Sequence, residues 1–511
     1  MQEKTSTLAD IYHKLDGRRG QVLDRARRCA ELTIPALLPP IGSDQNTPLE
    51  TPWQSFGARA LNTLAAKLLL TMFPPNSPFW KLDVDPATVE KLRQKLGEDG
   101  LKTLIEEDMG AMEQTMLKYI EASPFRSVAF KIVRQCLACG DVLIEMPPEG
   151  GINYFTLNQY VVRRSPRGKL LEVIIQEQLD ISEVPETHKD VAKAKKKDDL
   201  IEMYSGYILR DGQWHFKQEI AGKTVGEEVR FPEALCPVFP LPWILNAGEH
   251  HGRGHIEEHI GDFNSLESFW QALTEGGLNM ARILYLENPN GSIDGKEIET
   301  APNGTVITGS PEDIAVLQVE KYPDLKFALE CAIRLEDRLS RAFLLHESVQ
   351  RQGERVTAEE IRYMAQELED ALGGQYSHFA QNFQLPVVNR IMWQMRKAGK
   401  LPTLPASVTP TITTGFEALG RGHDLARLKG FLMDIAEFSP EILNTWLNAD
   451  NVISRMGTAR GVDMKGMVKS PEQVQQEMAQ AKQDALMAQV AGPIANQGTK
   501  GIVDAANSQG E

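Results

Sequence analysis

"IEEHIGDFNSLESFWQALTEGGLNMARIL", residues 256–284, carries Ile256, Ile260, Phe263, Leu266, Trp270, Leu273, Gly277, Met280 and Leu284 at steps of three or four. Apolar side chains at that interval share one face of an α-helix, here for about eight turns. Such a stripe suits packing along like neighbours, and Phe263, Leu266, Trp270 and Leu273 are the candidate oligomer seam. The pattern breaks over 284–322 into "ILYLE", "NPNG", "GTVIT" and "IAVLQVE", a small β-rich insert. A second helix follows over 324–346, with Leu325, Leu329, Ala332, Ile333, Leu339 and Phe343 on one side. Its other side mixes signs: Glu330, Arg334, Asp337, Arg338 and Arg341. Two helices thus flank an insert and are expected to hold it away from the main body.

The regions around this pair have different periods. Phe56, Ala60, Leu64, Leu68 and Met72 mark a helix within 54–73, and Leu101 to Ile120 another. A third, about 125–139, ends at Gly140. From 152 to 245 short β-type runs take over, including "KLLEVIIQEQL", "LIEMYSGYIL" and "QWHFKQEI", divided by "SPRG", Asp211-Gly212 and "AGKT". The fold class is α+β, mainly helical, with an antiparallel meander. Residues 415–490 read as further helices, and the tail from about 491 lacks core-forming residues.

After the second long helix comes "RQGERVTAEEIRYMAQELEDALGG", 351–374. Arg351 and Arg355 sit on a short loop, Thr357 and Glu360 form a capping box, and Gly373-Gly374 weakens the helix that follows. Pro386 is a second kink point.

With 511 residues, two to four compact units are expected. The net charge of -15 excludes a general basic coat for nucleic acid, though not a nucleic acid that slides. The N-terminus has no apolar core of a secretory signal, and the most apolar helix, 61–73, is too short for a bilayer and contains Lys67. Five cysteines suggest reduced thiols, and Cys136-x-x-Cys139 reads as part of a buried helix.

Several motifs fail on inspection. "AGKT" has Lys217 where a phosphate loop needs glycine, and a strand follows it. "GRGHI" and "GRGHDL" lack the third glycine of a dinucleotide fingerprint. His250, His251, His255 and His259 form the best enzymatic lead, because His255 and His259 are four apart on one helical face. The metalloprotease pattern needs Glu where Ile256 stands, so neither a catalytic residue nor a metal site is assigned. Arg18, Arg19, Arg25, Arg27 and Arg28 read as a solvated helix face.

"CAELTIPALLP", "TPWQSFGARALNTLAAKLLLTMFPP", "GERVTAEEIRYMAQELEDALGG" and "TTGFEALGRGHDL" resemble stretches of the portal (head-to-tail connector) proteins of short-tailed, podovirus-type phages, from about residue 10 to 485. The resemblance implies a ring of about twelve subunits at one capsid vertex, around a channel for double-stranded DNA entering and leaving the head. It implies a wing at 1–254, stem helices at 255–283 and 323–346, and a clip at 284–322. A tunnel loop at 347–356, a kinked wing helix at 357–407, a crown at 408–490 and a disordered tail at 491–511 complete the division. Arg351, Arg355, Arg334, Arg338 and Arg341 become channel candidates, with the stem arginines equally suited to pairing with a neighbouring subunit. Gly373 and Gly374 become a hinge. Implied partners are further copies of the chain, DNA bound without sequence preference, the terminase motor, scaffolding and major capsid proteins, and tail adaptor and internal core proteins. No cofactor and no membrane are implied; the location is the virion, after assembly in the host cytoplasm. A different ring-forming head-tail adaptor and a metal-dependent hydrolase using the histidine group are the alternatives.

Overall fold

The computed structural model describes residues 6–84, 109–184, 200–281, 284–317, 322–345 and 370–401 almost throughout. Beyond these it describes short pieces at 408–412 and 430–437 and isolated positions such as Met364, Glu367 and Leu368. In chain order the elements are α1 (Leu8–Asp16), α2 (Gly20–Glu31), α3 (Phe56–Met72), β1 (Trp80–Val84), α4 (Met109–Ala122), α5 (Phe125–Cys139), β2 (Asp141–Glu145) and β3 (Asn153–Phe155). Then come β4 (Tyr160–Arg164), β5 (Leu170–Leu179), β6 (Ile201–Arg210), β7 (Gln213–Ile220), β8 (Lys223–Pro232) and β9 (Val238–Pro242). The remainder is α6 (His255–Glu258), α7 (Ile260–Met280), β10 (Leu284–Glu287), α8 (Gly295–Thr300), β11 (Ile314–Leu317), α9 (Tyr322–Ala342), α10 (Gly374–Phe379), α11 (Leu385–Lys397) and β12 (Val408–Ile412). The chain divides into a unit of 1–83 with 115–418, and a unit of 84–114 with 419–511. Little of the second is described; there, residues 430–435 are helical, with Phe431 and Met433 exposed.

In the first unit, β4 to β8 form a five-stranded antiparallel meander in sequence order. Asp211-Gly212 and Ala221-Gly222 make its tight turns with positive φ at both residues, the twist that two-residue hairpins need. "AGKT" is therefore a hairpin turn. One face of the sheet is covered by α1, whose Leu8, Tyr12 and Leu15 pack on Val161, Ile174, Tyr204 and Ile208. "INYFTL" belongs elsewhere: β3 pairs with β2, and β2 with β9, in a separate three-stranded sheet.

In the helical core α3 packs on α5, and α11 buries its own apolar face. Leu61, Leu64, Ala65 and Leu68 are fully or almost fully buried, as are Ile132, Val133, Val387 and Val388. Cys136 and Cys139 lie in this core, and burial pushes both thiols up, away from the thiolate that redox or zinc chemistry requires. The N-terminal arginines are less solvated than their sequence suggests. Arg19 is buried and donates to the carbonyls of Leu157 and Tyr160, Arg25 lies 3.2 Å from Glu257, and Arg28 donates to Asn264.

In the insert between the long helices, β10 and β11 pair antiparallel, Leu284 opposite Leu317 and Glu287 opposite Ile314. "GTVIT" forms no strand, and Val306 is exposed. The crown-type helices expected over 415–490 lie almost entirely outside the described residues, as do "KAKKKDD" and the tail.

Candidate functional site

The long helices α7 and α9 lie side by side, joined through the β insert. Gly276 permits one close approach, since a Cβ there would meet Leu325 Cδ2 at 2.8 Å. The inner face is short. Phe263, Leu266, Ala332 and Leu339 are buried, Trp270 and Leu273 are half-buried, and Trp270 Nε1 donates to Glu336 at 3.0 Å. Phe263 and Leu266 consequently have no surface left for a neighbouring chain. Their part of the stripe is used inside the single chain, while Trp270 and Leu273, the other two residues of the expected seam, keep part of their surface. Leu278, Tyr322, Phe327, Leu329 and Ile333 are large apolar side chains of these two helices that remain exposed.

The charged side of α9 stays in solvent. Arg334, Arg338 and Arg341 are exposed, and Arg338 pairs with Asp262 of α7. One of the three channel candidates on α9 is thus already engaged within the chain. Arg351 and Arg355, with the capping residues Thr357 and Glu360, lie outside the described residues.

At the hairpin's base the aromatic side chains form an unbroken series. Phe56 of α3 contacts Phe263, Phe263 contacts Phe343, and Phe343 contacts His255 with ring centres 4.8 Å apart. His255 continues to Trp243, Trp243 to Phe379, Phe379 to Phe383, and Phe383 to Phe73. Phe379 and Phe383 belong to the helical segment that resumes after Gly373, so the hairpin base and that segment share one aromatic core. Such tilted and edge-to-face rings resist sliding because each fits a specific neighbour.

Glycines bring the backbone into this base. The "GRG" at 252–254 packs against the end of α5: a Cβ on Gly252 would meet Gly140 O at 2.4 Å, and one on Gly254 would meet Leu137 O and Ala138 O at 2.8 Å. Close backbone approach, and not a nucleotide, explains these glycines.

The four histidines do not converge. His250 Nδ1 accepts from Arg164 N at 3.2 Å, whereas His251 is buried with Nδ1 3.2 Å from Asp141 Oδ2. Burial holds His251 below its ordinary value, against the raising effect of Asp141. His255 and His259 do come together, and with them Glu258. Helix α6 ends at His259, whose φ of -110 and ψ of 12 interrupt the helix before α7 begins. Burial, and then His255, lower the pKa of His259.

Behind the base, Lys67 of α3 is buried and donates to Leu344 O at 2.6 Å and to Glu367 Oε2 at 3.3 Å. Leu344 follows α9, Glu367 precedes α10, and the segment expected to form the loop lies between them. The sequence marked Lys67 only as an impurity in an apolar helix. A lone lysine inside an otherwise apolar stripe was the signal that could have found it.

Gly373 separates α10 from the helical residues before it, with φ +53, while Gly374 has no neighbour near its missing Cβ. A π-helical stretch, Ala380–Gln384, then precedes Pro386 in the first turn of α11. The helix therefore breaks at one glycine and re-registers before the proline.

Over residues 5–468 the sequence matches the family described as "Bacteriophage head to tail connecting protein". The chain belongs to this family. It is 36% identical to the portal protein of Escherichia phage T7 over 94% of its own length and 92% of the relative's. Similar relationships hold with the portal proteins of Enterobacteria phage SP6, 32% identical over 94% of each chain, and Pseudomonas phage phiKMV, 27% identical over 98% and 99%. Among solved structures, a chain from the neck of an empty GTA particle matches with TM-score 0.37 and 10% identity, covering 79% of this connector and 90% of that chain. That likeness is too distant to position any residue. The relatives carry the name of a portal protein and not of an enzyme. Among the described residues no helix is long and apolar enough to cross a membrane.

Proposed function

We propose that the chain is a portal subunit. It forms a closed homo-oligomeric ring of about twelve copies at one capsid vertex, through which double-stranded DNA is packaged and ejected. The end-to-end similarity to named portal proteins carries this reading. In this reading the wing comprises 1–254, α7 and α9 are the stem helices and 284–322 is the clip. Residues 347–356 then form the tunnel loop, 357–407 the kinked helix and 408–490 the crown. Leu278, Phe327, Leu329 and Ile333 are large apolar groups exposed on a single chain, and stacking neighbouring hairpins would remove them from water at about 25 cal/mol per Å² buried.

A ring around moving DNA must hold without gripping. Duplex DNA carries one charge per roughly 1.7 Å of axis, so many fixed phosphate contacts would act as a brake. An acidic chain with Arg351 and Arg355 on a loop supplies a few screenable contacts per subunit, and Glu354 between them moderates the attraction. In this reading the ring docks the terminase motor, the tail adaptor and the internal core proteins, and nucleates the scaffold and major capsid protein during assembly in the host cytoplasm. The runner-up hydrolase loses ground because His250 and His251 are engaged elsewhere.

Native mass measurement and end-on electron microscopy of the purified protein test the proposal. Rings of uniform copy number with an axial hole are expected; a monodisperse monomer at micromolar concentration and low salt would overturn it.

A further inference from the structure

His255, Glu258 and His259 place one ligand atom each within 4.8 Å of one another, at the break between α6 and α7. The hydrogen bonds of His255 show what that arrangement lacks. Its Nε2 lies 3.3 Å from the carbonyl oxygen of Ala342, at the end of α9. A carbonyl only accepts, so this contact is a hydrogen bond when Nε2 carries the hydrogen. In a neutral ring Nδ1 then presents a lone pair to Glu258 Oε2 at 3.3 Å, and two acceptors face each other.

We propose that a divalent transition-metal ion of the zinc class binds between His255 Nδ1, Glu258 and His259, as a structural clip at the base of the helical hairpin. Two imidazoles and one carboxylate favour zinc over calcium or magnesium, which prefer oxygen alone. A tetrahedral ion with bonds of about 2.0–2.1 Å separates its ligands by about 3.3–3.4 Å. The spacing of His255 Nδ1 and Glu258 Oε2 is already 3.3 Å. The Ala342 carbonyl supplies what a ligating histidine generally has, an outer acceptor for its second nitrogen that fixes tautomer and ring orientation. Glu258 is half-exposed, which leaves an entry path and room for water as the fourth ligand.

The site is a clip and not a hydrolytic centre, because the neighbouring carboxylate that could serve as base is occupied. Glu257 Oε1 lies 2.7 Å from Arg253 and 3.2 Å from Arg25. Bound metal would hold α6 to the start of α7 across the interruption at His259 and, through the Ala342 carbonyl, to the end of α9. The inference goes beyond the portal reading and does not depend on it.

The test uses the full-length protein, stripped with EDTA, dialysed, and titrated with zinc by calorimetry and with cobalt(II) by visible absorption. One zinc per chain is expected, with a higher melting temperature and a tetrahedral cobalt spectrum. Glu258→Gln and His259→Gln, each checked for a parental circular-dichroism spectrum, should weaken zinc binding by at least about tenfold. Because Glu258 is half-exposed, its variant guards against simple misfolding. Three results would overturn the proposal: no saturable binding; binding unchanged in a folded Glu258→Gln protein, which marks an adventitious ion only; or a melting temperature indifferent to zinc and EDTA, the outcome if a proton on His255 resolves the contact. Ring formation would be unaffected by any of these, so failure here leaves the portal reading standing.

Discussion

Lys67 Nζ lies 2.6 Å from the carbonyl oxygen of Leu344, and Leu344 has a left-handed backbone with φ +55. That conformation is uncommon for a branched side chain. A buried ammonium therefore meets the chain where α9 ends, and its second bond, to Glu367, meets it again before α10. One side chain of α3 holds both ends of the intervening segment.

Lys67→Met keeps the apolar stem and deletes the charge. It leaves the Leu344 carbonyl without its donor and Glu367 without its partner, a loss of about 1–3 kcal/mol. Chemical unfolding should register it, and hydrogen exchange should rise at both Leu344 and Glu367. Unchanged exchange at either end would show that Lys67 does not join them.

Gly373 and Gly374 should respond differently to alanine. At φ +53 a Cβ costs about 1–2 kcal/mol, or forces the break to straighten. Gly374 begins α10 with nothing within 4 Å of a new Cβ, so alanine there is neutral or stabilises by up to about 1 kcal/mol. Melting temperatures of the single variants check this. If Gly373 is the hinge of the proposed portal, its variant also packages and ejects DNA abnormally, while the Gly374 variant behaves as the parent.

Phe327→Asp tests the exposed face of α9. Phe327 is 68% exposed, so the isolated chain should change stability by no more than about 0.5 kcal/mol. Sedimentation should instead show weakened assembly. Normal rings would remove this face from the proposed interface.

Arg351→Ala with Arg355→Ala should leave rings intact, because neither residue belongs to an apolar stripe. Each lost phosphate contact lowers the salt slope of DNA binding by about 0.9, repeated in every subunit. Packaged DNA should slip back more readily once the motor departs. Retention equal to the parent's at every ionic strength would exclude the loop as a DNA-facing element.

Acid should destabilise the fold through His251 and His378. Burial lowers both below the ordinary 6.5, so the unfolded chain binds more protons as pH falls past that value. Their contribution is complete above about 6.5 and is lost on acidification, at most about 1.4 kcal/mol per pH unit for each group. Urea unfolding at pH 7.5, 6.5 and 5.5 should show the decline, and His378→Gln should flatten it. A stability that rises on acidification would contradict the assignment.

The sequence by itself determined the helix periods, the meander with its turns, the break near Gly373 and, through long matching strings, the family. Those are local signals: a period of three to four residues, a turn dipeptide or a glycine pair acts within one or two turns of chain. It could not say which part of the 256–284 stripe is used up inside the chain. Phe263 and Leu266 share that face with Leu273 and Met280, but only α3 and the end of α9 decide that the first pair is buried. Nor could spacing separate four histidines into one pair meeting at Glu258 and two turned toward Arg164 and Asp141. Lys67 and Leu344 are 277 residues apart, and no local pattern encodes their bond. Periodicity reports that side chains share a face; tertiary packing alone supplies what the face meets, because that partner comes from distant chain.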